Sequence, residues 1–71
     1  MYGEVKRILS KFTEEEVTEE SVLDMDLGLS SFDVVEIVCE FEDAFDIEIP
    51  DRVIQEFVTV GDVVAYLEKR M

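Results

Sequence analysis

The sequence predicts an all-α domain: a four-helix bundle with three longer helices, one short third helix and a long first loop. Apolar residues recur at spacings of three and four in three separate segments, the mark of helices with one buried face. No segment alternates apolar and polar residues, and the one strand-like run, Ile47-Glu48-Ile49, stops at Pro50 too soon to found a sheet. Of 71 residues 48% are apolar, with five Phe, which argues for a folded chain despite its high charge. Domains rarely fall below ~50 residues, so one domain, residues 1–71, is the expectation.

The first helix is expected over Tyr2 to Phe12, where Tyr2, Val5, Ile8, Leu9 and Phe12 share a face. Thr13 to Leu29 is acidic and lacks sustained periodicity, so it reads as the long loop. Thr18, Ser21, Val22 and Leu23 suggest a single turn within it, and Gly28 is a natural place for the chain to turn. The second helix is expected over Ser31 to Phe45, capped by Ser30 or Ser31, with Asp33 in its first turn. Pro50 and Asp51 open a short third helix to Phe57. Thr59 caps the last helix with Asp62 three residues on, in a capping-box arrangement. Val60, Val63, Val64 and Leu67 form its apolar face.

The second helix carries one face more than a core requires. With about 100° per residue and Phe32 as zero, Ile37, Phe41, Val34, Phe45 and Val38 fall between roughly 140° and 240°. That is a core stripe. Asp33, Glu36, Glu40 and Asp43 form an acidic stripe, and Glu42 lies on the far side. Between these acids runs a third strip of Phe32, Val35 and Cys39. It is either a wider buried face or an apolar docking strip fenced by acids, with a centre for affinity and a rim for steering.

Charge narrows the function classes. Nineteen acidic and six basic residues give a net charge of −13. From Phe12 to Asp51 there are 15 acids and no base. Such a field attracts a basic partner, repels nucleic acid and disfavours an anionic membrane surface. No apolar run approaches the ~20 residues of a membrane span, and the N-terminus has no signal-peptide pattern. One cysteine, Cys39, allows no internal disulfide, which fits a reducing cytoplasm. Without His, a zinc site is not expected and a Ser-His-Asp triad is excluded.

Other constellations fail on spacing. Asp24-x-Asp26-x-Gly28 is patterned like the start of a calcium loop, but the sixth and twelfth positions are Leu29 and Val35 rather than Gly and Glu. Cys39 lies among Glu36, Glu40, Glu42 and Asp43, whose charge opposes a reactive thiolate. No metal site is expected. Ser30 and Ser31 stand out: a hydroxyl at a helix N-terminus after a Gly turn is exposed, and the helix end would stabilise a phosphate ester there.

The run Asp26-Leu27-Gly28-Leu29-Ser30-Ser31-Phe32-Asp33-Val34-Val35-Glu36-Ile37-Val38 resembles the acyl carrier protein family, whose usual run is Asp-Leu-Gly-x-Asp-Ser-Leu-Asp-x-Val-Glu. The likeness continues through Glu42-Asp43-Ala44-Phe45, Ile49-Pro50-Asp51 and Thr59-Val60-Gly61-Asp62-Val63, and upstream at Glu15-Glu16-Val17-Thr18. It covers nearly the whole chain.

The resemblance implies a bundle of acyl-carrier type and a carrier rather than an enzyme. It implies a 4′-phosphopantetheine arm, taken from coenzyme A by a phosphopantetheinyl transferase and attached to Ser31, the serine three residues after Gly28. The arm's thiol would hold acyl groups as thioesters. Acyl-loading, condensing or transferase enzymes would approach with basic patches. Their contact residues would be Phe32, Asp33, Val35, Glu36, Cys39, Glu40, Glu42 and Asp43. Two departures stand out: Ser30 replaces the usual Asp, and Phe32 the usual Leu. They leave fatty acid, polyketide-like, aminoacyl, D-alanyl and peptidyl cargo open, although Leu29 stands where peptidyl carriers favour a second Gly. A free-standing cytoplasmic monomer is expected. An unmodified acidic interaction module is the competing class.

Overall fold

The computed structural model describes residues 1–70; Met71, the last residue of the expected domain, lies outside them. Four helices follow in order: α1 (Tyr2–Leu9), α2 (Ser31–Phe45), α3 (Asp51–Ile54) and α4 (Val60–Arg70). No strand occurs among the described residues, and one isolated antiparallel bridge joins Val22 to Thr59.

Two helices are shorter than their periodicity suggests. The first was expected to reach Phe12 but ends at Leu9. There the bonding tightens, and the Lys11 and Phe12 amides reach back only three residues, to the Ile8 and Leu9 carbonyls. Phe12 still packs on the core, which is why its spacing looked helical. The third was expected to reach Phe57 but ends at Ile54, and Glu56 and Phe57 close similar short turns on Val53 and Ile54.

One core unites the four elements. α1 contributes Val5, Ile8 and Leu9, α2 contributes Ile37, Val38 and Phe41, and α4 contributes Val60, Val63, Val64 and Leu67. Removing the Phe41 side chain would cost roughly 3–5 kcal/mol. A core of this size supplies about as much in total.

The long first loop belongs to that core. Val17, Leu23, Leu27 and Leu29 are all buried. Backbone bonds lash the loop to the segment before α4: Leu23 N–H to Val58 O (2.9 Å), Val60 N–H to Ser21 O (3.0 Å) and Gly61 N–H to Glu19 O (2.8 Å). Gly61 permits that last approach, since a Cβ there would lie 3.1 Å from the Glu19 carbonyl oxygen. Within the loop, the Ser21 hydroxyl accepts from Thr18 N–H at 3.0 Å and closes the expected turn. Gly28, at φ +68°, makes the left-handed turn that delivers the chain to α2.

Candidate functional site

The start of α2 separates the two serines. Ser30 is the cap: its Oγ accepts from Asp33 N–H, and Asp33 Oδ2 accepts from Ser30 N–H, both at 3.1 Å. Ser31 is the first helical residue and is exposed. Its hydroxyl makes no hydrogen bond among the described residues. The amides of Ser31 and Phe32 belong to the first turn, where a helix has no internal acceptors for its N–H groups. The helix N-terminus adds partial positive charge at this point.

Beside Ser31 opens a cleft of about 710 Å³. Leu23 and Leu29 from the first loop, Val34 from α2, Ile54 from α3, and Phe57 and Val58 beyond it supply its apolar lining. Asp24, Asp51 and Gln55 add polar groups. Ser31 itself borders the cleft, and the preceding segment sets it there: Leu29 is buried, Gly28 turns the chain and Ser30 caps the helix.

The eight residues expected to meet partners divide in two. Phe32 is 71% exposed and Val35 49%, with Cys39, Glu36 and Asp43 also exposed. The third strip of α2 is therefore on the surface and not a wider core. Asp33, Glu40 and Glu42 are half-buried, and each has a partner within the chain. Asp33 closes the cap, Glu40 pairs with Lys11 of α1 at 3.1 Å, and Glu42 Oε2 accepts from Ile49 N–H at 2.8 Å. The Asp24 and Asp26 carboxylates serve their own turn, accepting from the amides of Met25 and Val22.

Comparison with known proteins decides the family. Residues 3–67 match the family model described as a phosphopantetheine attachment site. The acyl carrier protein of Thermotoga maritima is 39% identical over all of this chain and 91% of its own length. That of Wolinella succinogenes is 56% identical over 76% of this chain and 71% of its own. A solved structure of a candidate acyl carrier protein from Mycobacterium tuberculosis superimposes with a TM-score of 0.79 at 37% identity, covering 94% of this chain and 88% of that one.

The chain belongs to the acyl carrier protein family. It is a carrier and not an enzyme, its cofactor is covalent 4′-phosphopantetheine, and its partners are a phosphopantetheinyl transferase and biosynthetic enzymes. The residues at the start of α2 fit such an arm. An unengaged, exposed hydroxyl stands where a phosphate ester would meet two amides, and an apolar cleft opens alongside it.

The cleft is lined in part by residues that periodicity did not single out. Leu23, Leu29, Phe57 and Val58 line the cleft from segments without regular structure. Their signal was weak: isolated apolar residues in a polar stretch. The Ser30-x-x-Asp33 spacing was a stronger signal for which serine caps the helix. No helix among the described residues is long and apolar enough to cross a membrane.

Proposed function

We propose that this chain is a free-standing, monomeric, cytoplasmic carrier, one domain over residues 1–71, whose arm is attached to Ser31. It presents acyl thioesters to successive enzymes of fatty acid or specialised, polyketide-like biosynthesis. The observation that carries the assignment is the division of labour between neighbouring hydroxyls. Ser30 is held in the cap, while Ser31 is exposed, unengaged and at the mouth of the cleft.

The arm supplies the thiol on which cargo rides. Everything else falls to the chain's own residues. Ser31 fixes the origin of the arm on a helix end, so the tethered cargo stays at high local concentration for each partner. The apolar walls of Leu23, Leu29, Val34 and Ile54 suit a hydrocarbon tail better than an amino acid with its charged amine. That favours acyl over aminoacyl, D-alanyl or peptidyl cargo.

Phe32, Val35 and Cys39, with Glu36 and Asp43 beside them, form the strip offered to basic partners. Asp33, Glu40 and Glu42 add negative charge to the field while holding the helix in place. The test is loading. The modified chain, given an acyl donor and an acyl-loading enzyme, gains the mass of one acyl group, and hydroxylamine removes it. A modified chain that accepts aminoacyl but no acyl groups contradicts the cargo class. A chain that takes no arm is the acidic interaction module.

A further inference from the structure

Among the described residues four large apolar side chains are exposed: Met25 at 84%, Phe32, Val58 at 55% and Val35. Exposed apolar residues scattered singly are ordinary. These four are not scattered. Ser31, Val35, Val58 and Asp24 border one cleft, Phe32 follows Ser31, and Met25 follows Asp24. Phe32 and Val35 belong to the strip on α2, whereas Met25 and Val58 stand on segments without regular structure.

Backbone bonds hold those two segments together. Leu23 N–H donates to Val58 O (2.9 Å), and Leu29 N–H donates to Leu23 O (3.1 Å). Leu23 thus ties the turn that carries Met25 both to Val58 and to the residues leading into Ser31. The turn is also closed within itself. The amides of Asp26 and Leu27 donate to Val22 O, and that of Gly28 to Asp24 O. The Asp24 carboxylate accepts from Met25 N–H (2.7 Å), and that of Asp26 from Val22 N–H (2.8 Å). Both flanking acids are engaged with the backbone, and the Met25 side chain between them is left in water. It adds nothing to the core, so the fold does not account for it. A flexible, polarizable thioether on a fixed turn suits the surface of another protein.

We propose, resting on the reading that the arm is attached to Ser31, that Met25 and Val58 form a second apolar contact for the phosphopantetheinyl transferase, separate from the strip on α2. An enzyme that works on the thioester acts at the far end of the arm and is free to dock along α2. The transferase must bring its catalytic groups to Ser31 Oγ itself, and so it covers what borders that atom. Its basic groups meet the exposed acids Glu36 and Asp43. Opposite Met25 and Val58 its surface is apolar, because the carboxylates beside Met25 are already bonded to their own turn.

Two measurements on the full chain test this. The first is oxidation footprinting of the arm-free wild type, saturated with a broad-specificity phosphopantetheinyl transferase. Adenosine 3′,5′-bisphosphate replaces coenzyme A, so no arm is transferred. Dilute hydrogen peroxide converts exposed Met to its sulfoxide, and peptide mapping gives the rate at each site. The rate at Met25 falls about fivefold or more in the complex, as burial at an interface requires. That at Met1, which is half-buried at the start of the chain and does not border the cleft, is unchanged. The second is loading from coenzyme A by the same enzyme, with variants of unchanged charge and similar size. Met25→Gln raises the KM for the carrier by about five- to tenfold and Val58→Thr by about threefold, while kcat holds. Ala65→Gln, exposed on α4 and remote from the cleft lining, loads as the wild type does.

Should a variant not fold, the footprint of the unsubstituted chain decides alone. An unprotected Met25 overturns the proposal. A wild-type KM in either Met25→Gln or Val58→Thr overturns it as well, and so does a rise in Ala65→Gln equal to that in Met25→Gln. In each of these cases a wild type that still gains its arm on Ser31 leaves the carrier reading intact. A wild type that gains no arm, or gains it on Ser30, overturns the reading of Ser31 and the proposal with it.

Discussion

Ser30 and Asp33 bind each other twice, hydroxyl to amide and carboxylate to amide, each at 3.1 Å. This reciprocal pair consumes the first serine's hydroxyl and leaves that of Ser31, one residue on, without a partner. Ser30 thus serves as the N-cap of α2. Ser30→Ala removes the cap and costs about 1 kcal/mol of stability. Chemical denaturation of wild type and variant, with the arm absent from both, reads this directly.

Glu36 and Glu42 lie on one helix but do different work. Glu36 is exposed and has no partner among the described residues, so its charge acts at a distance. Glu36→Lys slows association with the transferase several-fold at low salt and flattens the dependence on ionic strength. Stopped-flow association across a salt series checks this. Glu42 instead accepts from the amide of buried Ile49. Glu42→Ala costs about 1–3 kcal/mol, because an amide loses its acceptor. Its association rate keeps most of its salt dependence.

Asp62 gives the fold an acid-sensitive joint. Its carboxylate accepts from the amides of Thr59 (3.0 Å) and Val58 (3.1 Å). The Thr59 amide foremost, then that of Val58, holds its pKa below the ordinary 3.8. A depressed carboxylate pKa stabilises the fold fully above the unfolded value and loses that contribution as pH falls through the folded one. Asp62→Asn is therefore less stable than wild type at pH 7, by about 1 kcal/mol or less at so exposed a site. The gap closes as pH drops below 3.8. Melting curves of both proteins from pH 7 to pH 2 measure it.

Asp46 closes α2 at φ 55° and ψ 51°, a left-handed conformation that burdens any residue with a Cβ. It also places a negative charge at the negative end of a 15-residue helix. Asp46→Gly relieves both and stabilises the chain by about 1 kcal/mol, less the entropy glycine adds to the unfolded state. A higher melting temperature is the expected reading.

The helices were legible because their apolar residues obey one period. α2 begins and ends where its stripe does, and Thr59 with Asp62 caps α4 as their spacing requires. The first loop was not legible as core. Val17, Leu23, Leu27 and Leu29 are buried one at a time, by a chain with no repeating geometry, so no period records them. The pairing of that loop with residues 58–61 depends on backbone groups, which every sequence possesses equally. For the same reason Glu42 gave no hint of its bond to Ile49, seven residues away across a turn. At the site, the resemblance pointed to Ser31 by its distance from Gly28, and the structure adds that this residue is exposed. The exposure of Phe32, Val35 and Cys39 needed the packing of the other helices to decide it.

The proposed carrier role rests on one atom, the Ser31 hydroxyl. The measurement is intact mass with peptide mapping after incubation with coenzyme A and a broad-specificity phosphopantetheinyl transferase. The expected result is a gain of one phosphopantetheine mass, located on Ser31, retained in Ser30→Ala and lost in Ser31→Ala. A gain located on Ser30, or retained in Ser31→Ala, would contradict it.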